Sequence, residues 1–173
     1  MNEPKPILII TGSAPCVMED IDALGHGDRF EICPHGHGDW MAVGLDAVDK
    51  YAWPIKYVVT YHPVEIPQFK PKRAKIGGNT DFLVIAHKPE PGVDIVEPYE
   101  SPTGSSALCG AMAAIRMGYE RIILCGCPLL DKNYITFQKG WEKKKEIVKD
   151  KVRSMSGWTK DFLGAPTKEW LDA

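Results

Sequence analysis

The chain has 173 residues, 44% of them apolar and 25% charged, and 21 Lys+Arg against 23 Asp+Glu leave a formal net charge of −2. That length suits one domain with an ordinary core. The composition excludes global disorder, and the charge balance argues against a dedicated nucleic-acid binder, which carries a basic surplus. No apolar run reaches the roughly 18 residues that a membrane span needs, and residues 1–10 show no basic segment followed by an apolar stretch of signal length. The five cysteines are odd in number and irregular in spacing, which fits reduced thiols better than a disulfide framework. A cytoplasmic location, with neither membrane nor nucleic acid as partner, is the expectation.

The first element is the run Ile7-Leu8-Ile9-Ile10, which reads as a central parallel strand buried on both faces. It enters Thr11-Gly12-Ser13-Ala14-Pro15, and Pro15 suits a first helical turn. Val17, Ile21 and Leu24 then recur at helical spacing before Gly25. Gly25 to Asp39 reads as irregular, Trp40 to Val43 as a second strand, and Leu45 to Tyr51 as a short helix stopped before Pro54. Tyr57 to Thr60 is a third strand, followed by the turn Tyr61-His62-Pro63. Gln68 to Asn79, with four basic residues and Gly77-Gly78, reads as a solvated loop. Phe82 to Ile85 is a further apolar run, and Ile95-Val96 an edge strand.

Gly104 to Gly118 predicts a helix whose small residues Ala107, Gly110, Ala111, Ala113 and Ala114 let it lie close on a sheet. Ser105 or Ser106 can cap it, and Gly118 can end it. Arg121 to Cys125 follows as a buried strand, as in a right-handed crossover. Gly140 to Val152 predicts a charged helix, and within residues 139–173 the apolar anchors Trp158, Phe162 and Trp170 predict a docked tail. Alternating strands and helices imply an α/β, three-layer Rossmann-like domain over residues 1–173 with a mostly parallel central sheet. In such folds ligands sit outside the carboxyl ends of the strands at a topological switch point.

Two helix starts fall on that edge. Gly12-Ser13-Ala14-Pro15-Cys16 is a strand-to-helix turn whose glycine admits a close ligand and whose amides favour an anion; it also reads as a plain connection. Thr103-Gly104-Ser105-Ser106 adds a glycine and three hydroxyls at a second helix start, more than a cap requires. Together they suit a guest with phosphate and polar parts.

The Gly-Ser-Ala-Pro turn resembles the Gly-x-Gly-Pro-Ser turn of the bacterial family 42 sialyltransferases. Thr103-Gly104-Ser105-Ser106, the small-residue helix, Gly118-Tyr119-Glu120, the strand and Gly126 resemble that family's Thr-Ser-Gly segment and its sequel. A similar pattern occurs in the family of the archaeal 6-hydroxymethylpterin pyrophosphokinase, and chains of this length and pattern also look like small phage and prophage proteins. The resemblance spans residues 7–16 and 101–131. It implies a nucleotide such as CMP or ATP, or a nucleotide sugar, held by Gly12, Ser13, Thr103, Gly104 and Ser105. Ala14 and Ser106 belong to the same two turns as further contacts, and Gly126, ending the last strand, permits close ligand approach or simply makes the turn. A pyrophosphokinase-like reaction would add Mg2+, with Asp131 as a ligand. The sequence departs from the sialyltransferases in having no histidine after His87, where they carry a catalytic one, and in lacking an obvious lid domain.

The remaining candidates each have a plain alternative. Asp46 can bind a ribose hydroxyl or merely start a helix. His62 can act as general base or phosphate ligand, or be a polar turn residue. Arg153, after a run of lysines, can close over an anionic ligand or belong to a solvated face. His26, Cys33, His35, His37 and Asp39 offer metal-type ligands without the paired spacing of a zinc site, so no metal site is assigned. Cys16 at a helix start can have an activated thiol. The function these residues imply is nucleotide binding with group transfer, in which His62, Asp131 and Arg153 would do the chemistry. The alternative is a non-catalytic ligand-binding or accessory protein. Nothing in the sequence sets an oligomeric state.

Overall fold

The computed structural model describes residues 7–25, 38–98 and 105–173. Its strands are β1 (Ile7–Thr11), β2 (Gly38–Val43), β3 (Tyr57–Thr60), β4 (Leu83–Ala86), β5 (Ile95–Val96), β6 (Arg121–Cys125) and β7 (Val152–Ser154). They form one seven-stranded sheet in the order β5-β4-β3-β2-β1-β6-β7. Every neighbouring pair is parallel. The helices are α1 (Val17–Gly25), α2 (Ile66–Lys75), α3 (Ser106–Arg116), α4 (Ile135–Lys143), α5 (Lys145–Val148), α6 (Gly157–Leu163) and α7 (Lys168–Asp172). The α/β class with a parallel central sheet, expected from the sequence, is what the chain adopts.

Successive side chains of a strand point to opposite faces, so each apolar run fills two cores at once. Leu8, Ile10, Met41, Tyr57 and Val59 face the small residues of α3 and Trp141 of α4. Ile9, Trp40, Ala42 and Val58 face Val17, Ile21 and Leu24 of α1 and Phe69 of α2. The small residues of α3 are needed at this distance: a Cβ on Gly110 would lie 2.7 Å from Met41 Sδ and 2.9 Å from Val59 Cγ1.

From β1 the chain steps outward through β2, β3 and β4 to β5, then returns over α3 to β6 on the other side of β1. The strand order therefore reverses between β1 and β6, and the switch point lies at their carboxyl ends.

Three local expectations are corrected. Leu45 to Tyr51 is not a helix but a series of turns closed by Ala47 N–H to Gly44 O and Lys50 N–H to Ala47 O, both 3.3 Å. Its carbonyls are taken by the buried guanidinium of Arg73, whose Nη1 donates to Val48 O at 2.9 Å and also to Tyr51 O. The supposed loop from Gln68 lies largely within α2, because Ile66, Phe69 and Arg73 bury one face despite Pro71. The supposed helix from Gly140 to Val152 is interrupted at Lys144, with φ −100° and ψ 8°, and its end becomes β7.

Downstream of β7 the chain packs on both cores. Trp158 and Phe162 stack at 4.8 Å on the α3 side, and Trp170 joins the α1 side and donates from Nε1 to Asp150 O at 2.9 Å. Among the described residues no helix is long and apolar enough to cross a membrane.

Candidate functional site

The carboxyl edge of the sheet gathers Gly12, Ser13 and Ala14 after β1, the loop from Gly126 after β6, His62 after β3, and Ser105-Ser106 at the start of α3. Gly12 donates to Cys125 O at 2.8 Å and Ala14 to Gly126 O at 3.3 Å, which locks the two sides of the switch point together. The close approach that glycine permits here is to the chain itself. A Cβ on Gly12 would collide with Gly126 O and lie 2.8 Å from Cys127 Sγ, and one on Gly126, where φ is +65°, would lie 2.5 Å from Val17 Cβ. Ser13 is left exposed on the turn.

Ser105 is buried and spent on its helix: its Oγ accepts the Leu108 N–H at 3.3 Å. Ser106 reaches across to the sheet, its Oγ accepting the Tyr61 N–H at 2.9 Å. The start of α3 is thereby pinned to the carboxyl end of β3, on the same edge as Gly12 with β2 between them, a span of about 10 Å at ordinary strand spacing. Thr103 and Gly104 lie outside the described residues, as do His26, Cys33, His35 and His37. Asp39 is on β2 and pairs with Lys56 Nζ at 2.8 Å and with the Tyr119 hydroxyl.

His62 is exposed on this edge, and its N–H donates to Thr60 Oγ1 at 2.8 Å. Asp46 follows β2 but faces solvent and Lys72, at 3.9 Å. Asp131 is an N-cap, accepting the Asn133 N–H at 2.8 Å. Among the described residues no three His, Cys, Asp or Glu side chains converge as a metal-holding group. The structure takes Arg153 away from the carboxyl edge. Its Nη1 donates to Lys149 O at 2.5 Å and Val152 O at 2.9 Å, and its guanidinium lies 5.1 Å from the Trp170 ring, which Arg121 shares at 5.2 Å. Arginine prefers such an aromatic and carbonyl seat when the indole is near. Cys16 Sγ lies 3.5 Å from Ser156 Oγ.

Two groups of residues on this edge were missed. Asp20, only 7% exposed, accepts Gly126 N–H and Ser156 Oγ–H on one oxygen, each at 2.7 Å, and so ties α1 to the loops after β6 and β7. The signal was present: Asp20 falls on the apolar stripe of Val17, Ile21 and Leu24. The second group is Tyr61, Glu65 and His87. Glu65 Oε2 accepts the Thr60 hydroxyl at 3.2 Å, and the Tyr61 and His87 rings stack at 3.9 Å. His87 directly follows β4, a carboxyl-end position that the switch-point rule also covers. Burial, reinforced by Lys88 and His62 and opposed by Glu90, lowers the His87 pKa below its ordinary value.

A comparison with models of protein families gives no match, and neither does a comparison with the sequences of curated proteins. Among solved structures the chain is similar to the sialyltransferase CstII from Campylobacter jejuni, solved in complex with a substrate analogue, cytidine-5′-monophosphate. The TM-score is 0.62 at 17% sequence identity, over 94% of this chain and 86% of that one. The likeness is one of fold: a parallel sheet layered by helices.

Proposed function

We propose that this protein binds a nucleotide or a nucleotide-linked small molecule at the carboxyl edge and transfers the linked group. The observation that carries the reading is the pinning of two helix starts to one edge. The turn at Ser13 is fixed through Gly12 and Ala14 to the β6 loop, and the start of α3 is fixed through Ser106 to β3. Gly12 and Ala14 spend their N–H groups on the β6 loop, so what would receive a phosphate is the remaining N–H groups in the first turns of the two helices, with no dedicated cation needed. Similarity of fold to a structure holding CMP makes CMP the first ligand to try.

Titration calorimetry with CMP, supported by thermal shift, tests this. Saturable binding is expected, and Ser13→Asp should weaken it at least tenfold by placing a carboxylate against the phosphate. Ser13 is exposed, so the unliganded melting temperature should hold. If no cytidine, adenine, guanine or uracil nucleotide binds, the reading is wrong. The placements of Arg153 and Asp131 favour a second reading, a binding protein without turnover. Nucleotide-linked sugars that bind and remain intact would establish it.

A further inference from the structure

We propose that His87 is a neutral hydrogen-bond donor, through Nε2–H, to an oxygen of the group linked to the nucleotide; this rests on the function proposed above. Three observations converge on it. First, the ring is fixed. It stacks on Tyr61 at 3.9 Å and 9°, and the Tyr61 N–H is held by Ser106 Oγ at 2.9 Å. His87 is thus part of the same rigid edge as the start of α3. Second, its two nitrogens are unequal. Nδ1 is shut away from solvent and has no hydrogen-bond partner among the described residues. A buried, unpaired N–H costs more than a buried lone pair, which sets the tautomer: Nδ1 bare and Nε2 protonated. That leaves Nε2–H as the polar group a bound molecule can meet. Third, the surroundings oppose an imidazolium. Burial of the ring disfavours a further positive charge most, followed by Lys88 on the same segment and His62 on the neighbouring loop. Glu90, which acts the other way, is paired with Lys88 at 3.1 Å.

A ring that resists a second proton is a poor base and a good donor, as in sites where a neutral imidazole polarises an oxygen. Position selects what it meets. β4 is three strands from β1, about 14 Å at ordinary strand spacing. A phosphate between the Ser13 turn and α3 would leave His87 beyond it, against a carboxylate or hydroxyl oxygen of the attached group. His62, on the neighbouring loop, is exposed.

The variants are chosen so that one keeps the donor. A glutamine amide reaches the position of Nε2–H; phenylalanine keeps the stack on Tyr61 and removes the donor. Affinities for CMP and for CMP-linked sialic acid are measured by calorimetry, and the imidazole nitrogens by 15N NMR. The expected result is His87→Phe weakening the CMP-linked sugar at least tenfold and CMP less than threefold. His87→Gln should stay within threefold of wild type for both, and the Nδ1 resonance should be that of a bare nitrogen. Equal loss for both ligands, no loss with His87→Phe, loss with His87→Gln, or a proton on Nδ1 overturns the proposal. If CMP binds and the CMP-linked sugar does not, the nucleotide reading stands and this proposal falls. If neither binds, both fall.

Discussion

The carboxylate of Asp20 accepts the Gly126 N–H at 2.7 Å, joining the first helix to the loop that ends the sixth strand, across 106 residues of sequence. The same oxygen takes the Ser156 hydroxyl, so one buried group fixes the first helix to the loops after β6 and β7. Removing it orphans a buried amide and a hydroxyl. Asp20→Ala should cost about 2–3 kcal/mol, a fall of roughly 5–10 °C in Tm for a chain of this size. Asp20→Asn retains one acceptor and should cost about half as much. Urea denaturation checks both, and an unchanged midpoint for Asp20→Ala would show that the tie contributes nothing.

Gly12→Ala should destabilise although alanine is the smallest change available. The added methyl meets Gly126 O and lies 2.8 Å from Cys127 Sγ, and neither can retreat, because Gly12 N–H and Ala14 N–H are bonded to the same loop. Overpacking of this kind costs about 1–3 kcal/mol. Gly126→Ala adds left-handed strain of about 1–2 kcal/mol to its own clash with Val17, and should be the worse of the two. Chemical denaturation of the pair ranks them, and the reverse order would refute the packing explanation.

Much of this edge was legible in sequence because apolar runs and glycine turns follow local rules. The strands at Tyr57–Thr60, Ile95–Val96 and Arg121–Cys125 have the bounds expected of them, and Ser105 is the cap of α3. What failed was decided over long distances. The proline- and lysine-rich stretch after Gln68 looks like loop until Phe69 and Arg73 find the far side of the sheet. β7 has only three residues and exists because β6 offers it an edge. Trp170, 17 positions after Arg153, folds back to 5.1 Å from its guanidinium, a contact that no local pattern announces. At Gly12 and Gly126 the space a Cβ would take is filled by the loop after β6 and by Val17 of α1, contacts that close only in the folded chain. Stacking of Tyr61 on His87 joins two loops 26 positions apart, and no local pattern announces it.

Glu97 predicts the pH dependence of stability. Its carboxyl is 3% exposed and bonded to Arg116 Nη2 at 2.9 Å. Burial raises its pKa above the ordinary 4.5, and Arg116 only partly offsets this. A carboxyl with a raised folded-state pKa contributes stability that is fully present below about 4.5 and is lost as pH rises through the folded value. At neutral pH the buried charge is therefore a net cost. Glu97→Gln, which keeps an acceptor for Arg116, should be more stable than wild type at pH 7, with the advantage fading by pH 4. Urea midpoints at the two values measure this; a less stable variant at pH 7 would mean that the ion pair outweighs desolvation.

Arg73 supports the edge from beneath. Its guanidinium is fully buried and donates to the carbonyls of Val48, Tyr51, Ala52 and Trp53. These carbonyls belong to the turns after β2, and the planar fork satisfies them where a helix would have used its own amides. Lysine carries its donors on one nitrogen and cannot span the set. Arg73→Lys should cost about 2–3 kcal/mol, and Arg73→Met more, at about 1–3 kcal/mol for each carbonyl left unpaired. The Val48 carbonyl and its neighbours lie beside Tyr51, whose hydroxyl meets Thr11 Oγ1 at 2.6 Å at the end of β1. Loosening the turns should therefore reach the switch point. Hydrogen exchange on Arg73→Lys should show faster exchange in residues 44–53 and in Gly12, while the amides of α3 keep their protection. Uniform acceleration through the whole chain would instead mark a simple loss of global stability, with no route from these turns to β1.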